Sequence, residues 1–487
     1  MTEQEAYETV VGLEVHAQLQ TASKLFCGDS TAFGAGPNTH VSPVTLAHPG
    51  TLPKMNRKAI EFAVRMGLAC HSEIVKENHF ARKNYFYPDL PKGYQVSQHT
   101  TPICTGGYIK IRTDVSGRPE KDRTIRLNRI HLEEDAGKSI HDADEQYSCI
   151  DLNRAGTPLI EIVTEPDIRN GDEAYAYLTE VRRLVRYLGI CDGNMEEGSL
   201  RCDANISVRL QGDAVLGTKV EIKNLNSARN VKRAIEAESK RLIAISLEGG
   251  SIQQQTRGFD PDSGSTFPIR DKEDADDYRY FAEPDLAPFL LKNDFIEAVS
   301  KNLPALQEER MKQYTGEYQL SEYDASVLTE ERSFADYFQE LVAGNDNYKA
   351  AANWMLGPVR SWMNEHNADI SAFPLSPGKL AALIRLVNEG KLSFSLASGK
   401  MFSLLLTDPG ADPEVLAKSN NLLLESDMSA IEPVIDRVLE KMAGKVAEYK
   451  KGKKGLLALF VGEVMKQTKG KADPRITNDL LLKKLKS

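Results

Sequence analysis

The chain is 487 residues long, 41% hydrophobic and 27% charged, with a formal net charge of −9. That length exceeds one ordinary core and predicts about two to four domains, while the balance of apolar to charged residues excludes a disordered chain. No apolar run approaches the roughly 18–20 residues a membrane span needs, and the polar stretch from Met1 to Tyr7 is unlike a secretory or mitochondrial leader.

Six scattered cysteines, Cys27, Cys70, Cys104, Cys149, Cys191 and Cys202, form no C-x-x-C pair. This argues against a disulfide framework and a complete cysteine zinc site, and predicts a reducing cytoplasm. The charge is uneven. From Lys441 to Ser487 there are thirteen Lys/Arg against four Asp/Glu, a local balance of +9, so the remainder carries −18. A basic tail on an acidic body suits a protein that holds a polyanion at one end, although a solvated helical face has the same composition.

Up to about Phe289 short alternating stretches dominate, as at Val11 to Leu19, Tyr108 to Thr113, Thr124 to Leu132, Pro158 to Val163, Ser199 to Leu210 and Thr218 to Lys223. They predict an antiparallel sheet. Two helices interrupt them: one capped by Asp172 with Leu178, Val181, Val185 and Leu188 on one face, the other from about Ser227 to Leu247 before Gly249-Gly250. From about Asn293 to Met401 the period is helical. Thr407 to Pro413 reads as a linker, followed by short helices that include Leu456, Phe460 and Val464 at i, i+4, i+8.

Several strings set ionisable groups among apolar residues, where charge must be paired or must hold a metal. In an extended Val11 to His16, Glu14 and His16 share one face and Val11, Leu13 and Val15 the other. Glu133-Glu134-Asp135 follows Ile130 and Leu132 and needs a counter-charge, either Mg²⁺ or the nearby Lys138. Glu161 sits between Ile160 and Ile162 on a predicted core strand. Arg201, Asp203 and Asn205 alternate with apolar neighbours, as do Lys219, Glu221 and Lys223, so two strands offer polar faces, to solvent or to a charged substrate. The loop Arg82 to Tyr94 mixes cations with aromatic rings, which suits a phosphate and a stacked base or simple packing on a core. Neither a P-loop nor a Rossmann glycine pattern is present, nor a G-x-S-x-G elbow.

Taken together, V-G-L-E-V-H from Val11, R-K-N-Y-F-Y-P-D from Arg82, H-L-E-E-D-A-G-K from His131, D-L-N-R-A-G-T-P-L-I-E-I-V from Asp151, M-E-E-G-S-L-R-C-D-A-N from Met195, K-V-E-I-K-N-L-N-S from Lys219, D-D-Y-R-Y-F-A-E-P-D from Asp276 and F-V-G-E-V-M-K from Phe460 resemble the GatB family. Its members are B subunits of aspartyl/glutamyl-tRNA amidotransferases. The resemblance spans essentially the whole chain. It implies an α+β fold: an antiparallel-sheet cradle domain related to glutamine synthetase over 1–292, a helical domain over 293–406, and a small basic YqeY-like helical tail over 407–487.

The resemblance also implies ATP-dependent phosphorylation of the side-chain carboxylate of misacylated Glu-tRNA(Gln) or Asp-tRNA(Asn), then amidation by ammonia. Without that activation, the oxyanion of a carboxylate is too poor a leaving group for ammonia to displace. Carried over by residue, His16, Glu134 and Glu161 are expected to hold Mg²⁺ with Glu14 beside them. Lys83 is expected at the reacting phosphoryl group, and Arg154 and Arg201 at phosphate or substrate. An amidase-like A subunit, a small C subunit and the tRNA are the expected partners, with the basic tail gripping the tRNA. Relatives with a cysteine-rich zinc site near Phe26 to Pro49 differ from this chain, which keeps only Cys27 there, so no zinc is expected. A non-catalytic tRNA-binding scaffold and a stand-alone metal hydrolase are the rival readings.

Overall fold

The structure, a computed structural model, describes residues 6–113, 121–141, 144, 146–271, 278–424, 428–468 and 472–486. Contacts divide the chain into two compact units, Met1–Leu306 and Gln307–Ser487. Asp276 and Asp277, which belong to a string singled out above, lie outside the described residues.

In the first unit the elements that matter are, in chain order, β1 (Tyr7–Gln18), α1 (Arg57–Ala69), β2 (Ala81–Asn84), β3 (Tyr94–Ser97), β4 (Tyr108–Thr113), β5 (Lys121–Glu134), β6 (Pro158–Thr164), α2 (Gly171–Tyr187), β7 (Leu200–Leu210), β8 (Val220–Leu225), α3 (Ala228–Leu247), β9 (Gln255–Asp260), β10 (Ser265–Asp271) and α4 (Asn293–Lys301). The described strands build a 13-stranded sheet whose main path runs β10-β9-β8-β7-β1-β6-β5-β3-β2. Every pairing along this path is antiparallel except β8 with β9, which is parallel, so the sheet is mixed.

Alternation divides each central strand between two faces. Val11, Leu13, Val15 and Ala17 of β1, Ile130 and Leu132 of β5, Ile160 and Ile162 of β6 and Ala204 and Ile206 of β7 are fully buried in one cluster with α1, α2 and α3. Each buried Val, Leu or Ile among them contributes about 1.5–3 kcal/mol to folding. The opposite face keeps the polar residues.

Among the described residues, α1 and α4 join the two expected helices, α2 and α3, on the apolar face. The helix α1 is capped by Asn56, whose side chain accepts from the Lys58 amide, and it buries Ala59, Ile60, Ala63 and Val64. The cap of α2 is Asn170, which accepts from the Glu173 amide, while Asp172 sits inside the first turn. The helix α4 belongs to the first unit, where its Val299 joins the same cluster and α1 packs against it.

The second unit holds two cores. Tyr314, Phe338, Trp354, Met355 and Phe402 centre one of them. Within it, Met355–Val359 widens to a π-turn around Pro358, which has no N–H to donate. The stretch expected as a linker at Thr407 to Pro413 is instead a capped turn of this core: Asp412 caps Pro413–Ser419, and Leu405 and Ala417 are buried on either side. The other core joins Ile431, Ile435, Val438, Phe460, Val464 and Leu481, from Met428–Lys441, Leu456–Gln467 and Pro474–Lys486.

Candidate active site

The polar face of the first unit's sheet carries a row of ionisable side chains fixed by strand register. His16 on β1 lies directly opposite Glu161 on β6, and Glu161 directly opposite His131 on β5. Glu133 shares the His131 face because it is two residues along the same strand. The imidazole Nε2 of His16 lies 3.7 Å from Glu133 Oε1 and 3.7 Å from Glu161 Oε2. His131 Nε2 lies 3.0 Å from Glu161 Oε2 and 3.5 Å from Glu133 Oε2.

Burial makes this arrangement costly unless charges balance. His131 is 4% exposed, Glu133 3% and Glu161 8%. Burial alone would strip the proton from His131, but the two carboxylates outweigh it and hold the imidazolium up to about 9. Burial would likewise favour neutral acids. His131 and His16 nevertheless keep Glu161 well below, and Glu133 below, the usual carboxylate range. Glu133 and Glu161 therefore stay carboxylates beside a charged His131.

One ligand atom each from His16, Glu133 and Glu161 falls within a mutual 4.8 Å, the spacing of ligands around one cation. Two carboxylates and one imidazole, with His131 bracing both carboxylates, fit a hard divalent ion that retains several waters. A second grouping adjoins it. Glu14 on β1, Asp203 on β7 and Glu221 on β8 also meet the ligand spacing, with Asn205 donating to Glu14 at 2.9 Å. Lys223 lies 3.1 Å from Glu221 and 3.5 Å from Asp203 and supplies the counter-charge in this grouping. Burial and nearby Glu161 raise the Glu14 carboxyl.

Cations flank the row. Lys83 on β2 lies over the Tyr278 ring at 4.7 Å and the Tyr85 ring at 5.9 Å. Burial would lower its ammonium, yet Glu133 and Glu161 raise it, so it stays charged. On the other side Asp135, 4% exposed, accepts from Arg201 at 3.0 Å and from Gln18 at 2.7 Å, with Arg154 at 3.7 Å. Arg154 also donates to the carbonyls of Ala136 and Gly137. Arg201 faces His16 directly across β1 and β7.

The structure thus brings His16 and Glu161 together as the sequence predicts, with Lys83 and Arg201 nearby, and places Glu14 in the adjoining group. Glu134 is the correction. One residue beyond Glu133, its side chain points to the other side of the strand, away from His16. There it accepts from Lys92, at 2.6 Å on Oε2 and closely on Oε1, and from the Val96 amide at 2.8 Å. The counter-charge is Lys92 and not Lys138, whose side chain is exposed. His131, Glu133, Asp135 and the Asp203–Glu221 pair are the residues that the expected ligand set omits. For His131 and Glu133 the signal was present, since they alternate with Ile130 and Leu132.

Near Cys27 a buried lysine ties the loop down. The fully buried Lys24 donates to the carbonyls of His40 at 2.7 Å and Leu152 at 3.2 Å. Thr45 and the Ser42 amide both donate to Asp29. Among the described residues, neither ligand grouping includes Cys27, His40 or His48. No helix among the described residues is long and apolar enough to cross a membrane.

Residues 9–297 match the family model described as the GatB/GatE catalytic domain, and residues 336–485 match that described as the GatB domain. The chain is 49% identical over 484 residues to a protein of Geobacter sulfurreducens, covering 99% of both chains. It is 50% identical over 483 residues to one of Geotalea uraniireducens and over 479 residues to one of Pelodictyon phaeoclathratiforme, in each case covering 98% of this chain and 99% of the relative. All three relatives are named as the B subunit of an aspartyl/glutamyl-tRNA(Asn/Gln) amidotransferase.

Proposed function

The chain belongs to the GatB family, and from that premise we propose that it is the phosphoryl-transfer and amidation subunit of a tRNA-dependent amidotransferase. It acts as a ligase forming carbon–nitrogen bonds with glutamine as the amido donor. The substrates are ATP and a misacylated Glu-tRNA or Asp-tRNA; ammonia comes from an amidase-like A subunit, and a small C subunit completes the assembly. The observation that carries the reading is the cross-strand row of His16, Glu161 and His131, joined by Glu133, on the face that also presents Lys83 and Arg201.

The chemistry follows from charge. ATP must transfer its terminal phosphoryl group to an anionic carboxylate, which requires shielding of like charges and in-line placement. Mg²⁺ held by His16, Glu133 and Glu161 would supply the shielding. Lys83 stays an ammonium and meets an incoming phosphate oxygen as a donor, never as a base. Arg201, aimed by Asp135, offers its remaining N–H groups to phosphate or carboxylate, and Arg154 stiffens the adjoining turn. His131 keeps its proton at neutral pH and holds both carboxylates in place. The phosphorylated carboxyl then carries a leaving group that ammonia displaces, giving the amide and inorganic phosphate. The basic tail holds the tRNA body.

The test is ADP release by the assembled complex. Wild type should release ADP only when misacylated tRNA and Mg²⁺ are both present. Lys83→Met should slow that release by about 10²- to 10³-fold, as loss of one transition-state donor does, with glutaminase activity retained. ADP release that ignores tRNA, or a Lys83→Met complex as fast as wild type, would reject the assignment.

A further inference from the structure

Phe86 and Tyr87 lie three and four residues beyond Lys83 on the loop that leaves β2, and they are 79% and 57% exposed. Water-exposed rings of this size on a tightly built loop need a reason. The loop is fixed at three points: the Leu90 amide donates to the Tyr87 carbonyl at 3.0 Å, the Gly93 amide to the Leu90 carbonyl at 2.9 Å, and the Gly137 amide to the Asp89 carbonyl at 2.8 Å. The third contact joins it to the turn that Arg154 grips. Gly93 has φ +71, and a Cβ there would sit 3.0 Å from the Phe86 ring, so the ring lies against bare backbone and leaves its other face open. Among the described residues Phe86 stacks on no other ring, whereas Tyr85 meets Tyr87 at 5.9 Å and Tyr278 at 6.1 Å. Three backbone bonds hold the platform, and among the described residues no other ring covers Phe86.

We infer that Phe86, supported by Tyr87, is the stacking platform for the unpaired terminal nucleobase of the aminoacylated RNA. This rests on the function proposed above and names the part of the substrate that the loop takes. The amino acid to be activated is esterified to a terminal nucleoside, and that nucleoside has no pairing partner. When the side-chain carboxylate reaches Lys83 and the Glu133–Glu161 cluster, the attached base must lie a short ester's length away. Phe86 is three residues from Lys83, at most roughly 11 Å of extended chain. A bare aromatic face is what such a base seeks, since every base has a π surface and stacking on a protein ring is sequence-tolerant. Lys83 precedes the loop and Arg154 grips the turn it is tied to, so the platform is anchored beside the groups that receive the reacting carboxylate.

The experiment uses the assembled complex and a misacylated tRNA whose terminal base is 2-aminopurine, with no ATP present. Binding to wild type quenches the probe by stacking; Phe86→Leu, which keeps an apolar side chain against Gly93 but has no π face, leaves it bright. In steady state, Phe86→Ala raises KM for misacylated tRNA by about 5- to 150-fold, KM for ATP is unchanged, and Phe86→Trp restores the wild-type value. A Phe86→Leu complex that quenches like wild type overturns the inference. So does a Phe86→Ala complex that loses a subunit on size exclusion, which would make the ring a protein contact. Failure of the amidotransferase reading appears separately, as wild type that binds tRNA without tRNA-dependent ADP release.

Discussion

Glu133 and Glu134 are adjacent, chemically identical and each 3% exposed, yet neutralising them should have opposite consequences. Glu133→Gln removes one of three ligands from the His16–Glu133–Glu161 group. Loss of an outer-sphere partner already weakens a metal site by about 10- to 100-fold, so loss of a carboxylate ligand should weaken Mg²⁺ or Mn²⁺ binding by roughly 100-fold or more. Its effect on folding should be small. At 3.5 Å the attraction between Glu133 and His131 is at most about 5 kcal/mol in an effective dielectric near 20. Relief of the repulsion from Glu161 offsets most of that.

Glu134→Gln does the reverse. The carboxamide oxygen still accepts from the Val96 amide, but the Lys92 ammonium, about one-fifth exposed, loses its anion. Breaking a buried pair costs about 3–5 kcal/mol, and the partial exposure of Lys92 points to the lower end. Calorimetric titration with Mg²⁺, or Mn²⁺ binding followed by electron paramagnetic resonance, combined with thermal unfolding of the same proteins, separates the two. Glu134→Gln should bind the cation normally and melt early, while Glu133→Gln should melt normally and bind poorly. A Glu134→Gln protein that melts like wild type and has lost cation binding would refute the side-chain directions on which the site is built.

Two further outcomes can be checked. Glu283 accepts two bonds of 2.8 Å from Arg82; burial alone would raise its carboxyl, but Arg82 holds it below the usual value. A depressed folded pKa gives stability that is fully present above about pH 4.3, the ordinary glutamate value, and is lost as pH falls through the folded value. The difference in melting temperature between wild type and Glu283→Gln should therefore be constant near neutrality and shrink below that pH; a difference that grows on acidification would contradict it. For the tail, cutting the chain before Lys441 would leave Ile431, Ile435 and Val438 without the partners of their core, so charge removal is the cleaner perturbation. Lys451→Gln and Lys454→Gln, both on the exposed turn before Leu456, should each lower the salt slope of tRNA binding by about 1, and an unchanged slope would remove the tail from the interface.

Strand phase explains which parts of the site were legible. A period of two in Val11 to His16 and around Glu161 assigns those side chains to the polar face without knowledge of any partner. The same rule, counted forward from Ile130 and Leu132, selects Glu133 over Glu134. Choosing Glu134 set that alternation aside and followed the family motif's expected ligand set instead. Cross-strand register is different in kind. Nothing local to Glu14 says that it will face Asp203, or that Glu221 will reach both from β8. The first helix does carry a helical period, with Ala59, Ile60, Phe62, Ala63, Val64 and Met66 buried and Arg57, Lys58, Glu61 and Arg65 spaced at i+3 and i+4 on the other side. Its cap residue, Asn56, was a second clue.

The ladder joining β6, β1 and β7 imposes a division of labour on single positions. Odd-numbered Leu13, Val15 and Ala17 hold the fold, while even-numbered Glu14, His16 and Gln18 look the other way. Saturation mutagenesis of this strand should accordingly score as two interleaved combs, one visible in soluble yield and the other only in turnover. Inserting or deleting a single residue there would exchange the combs and forfeit both properties at once.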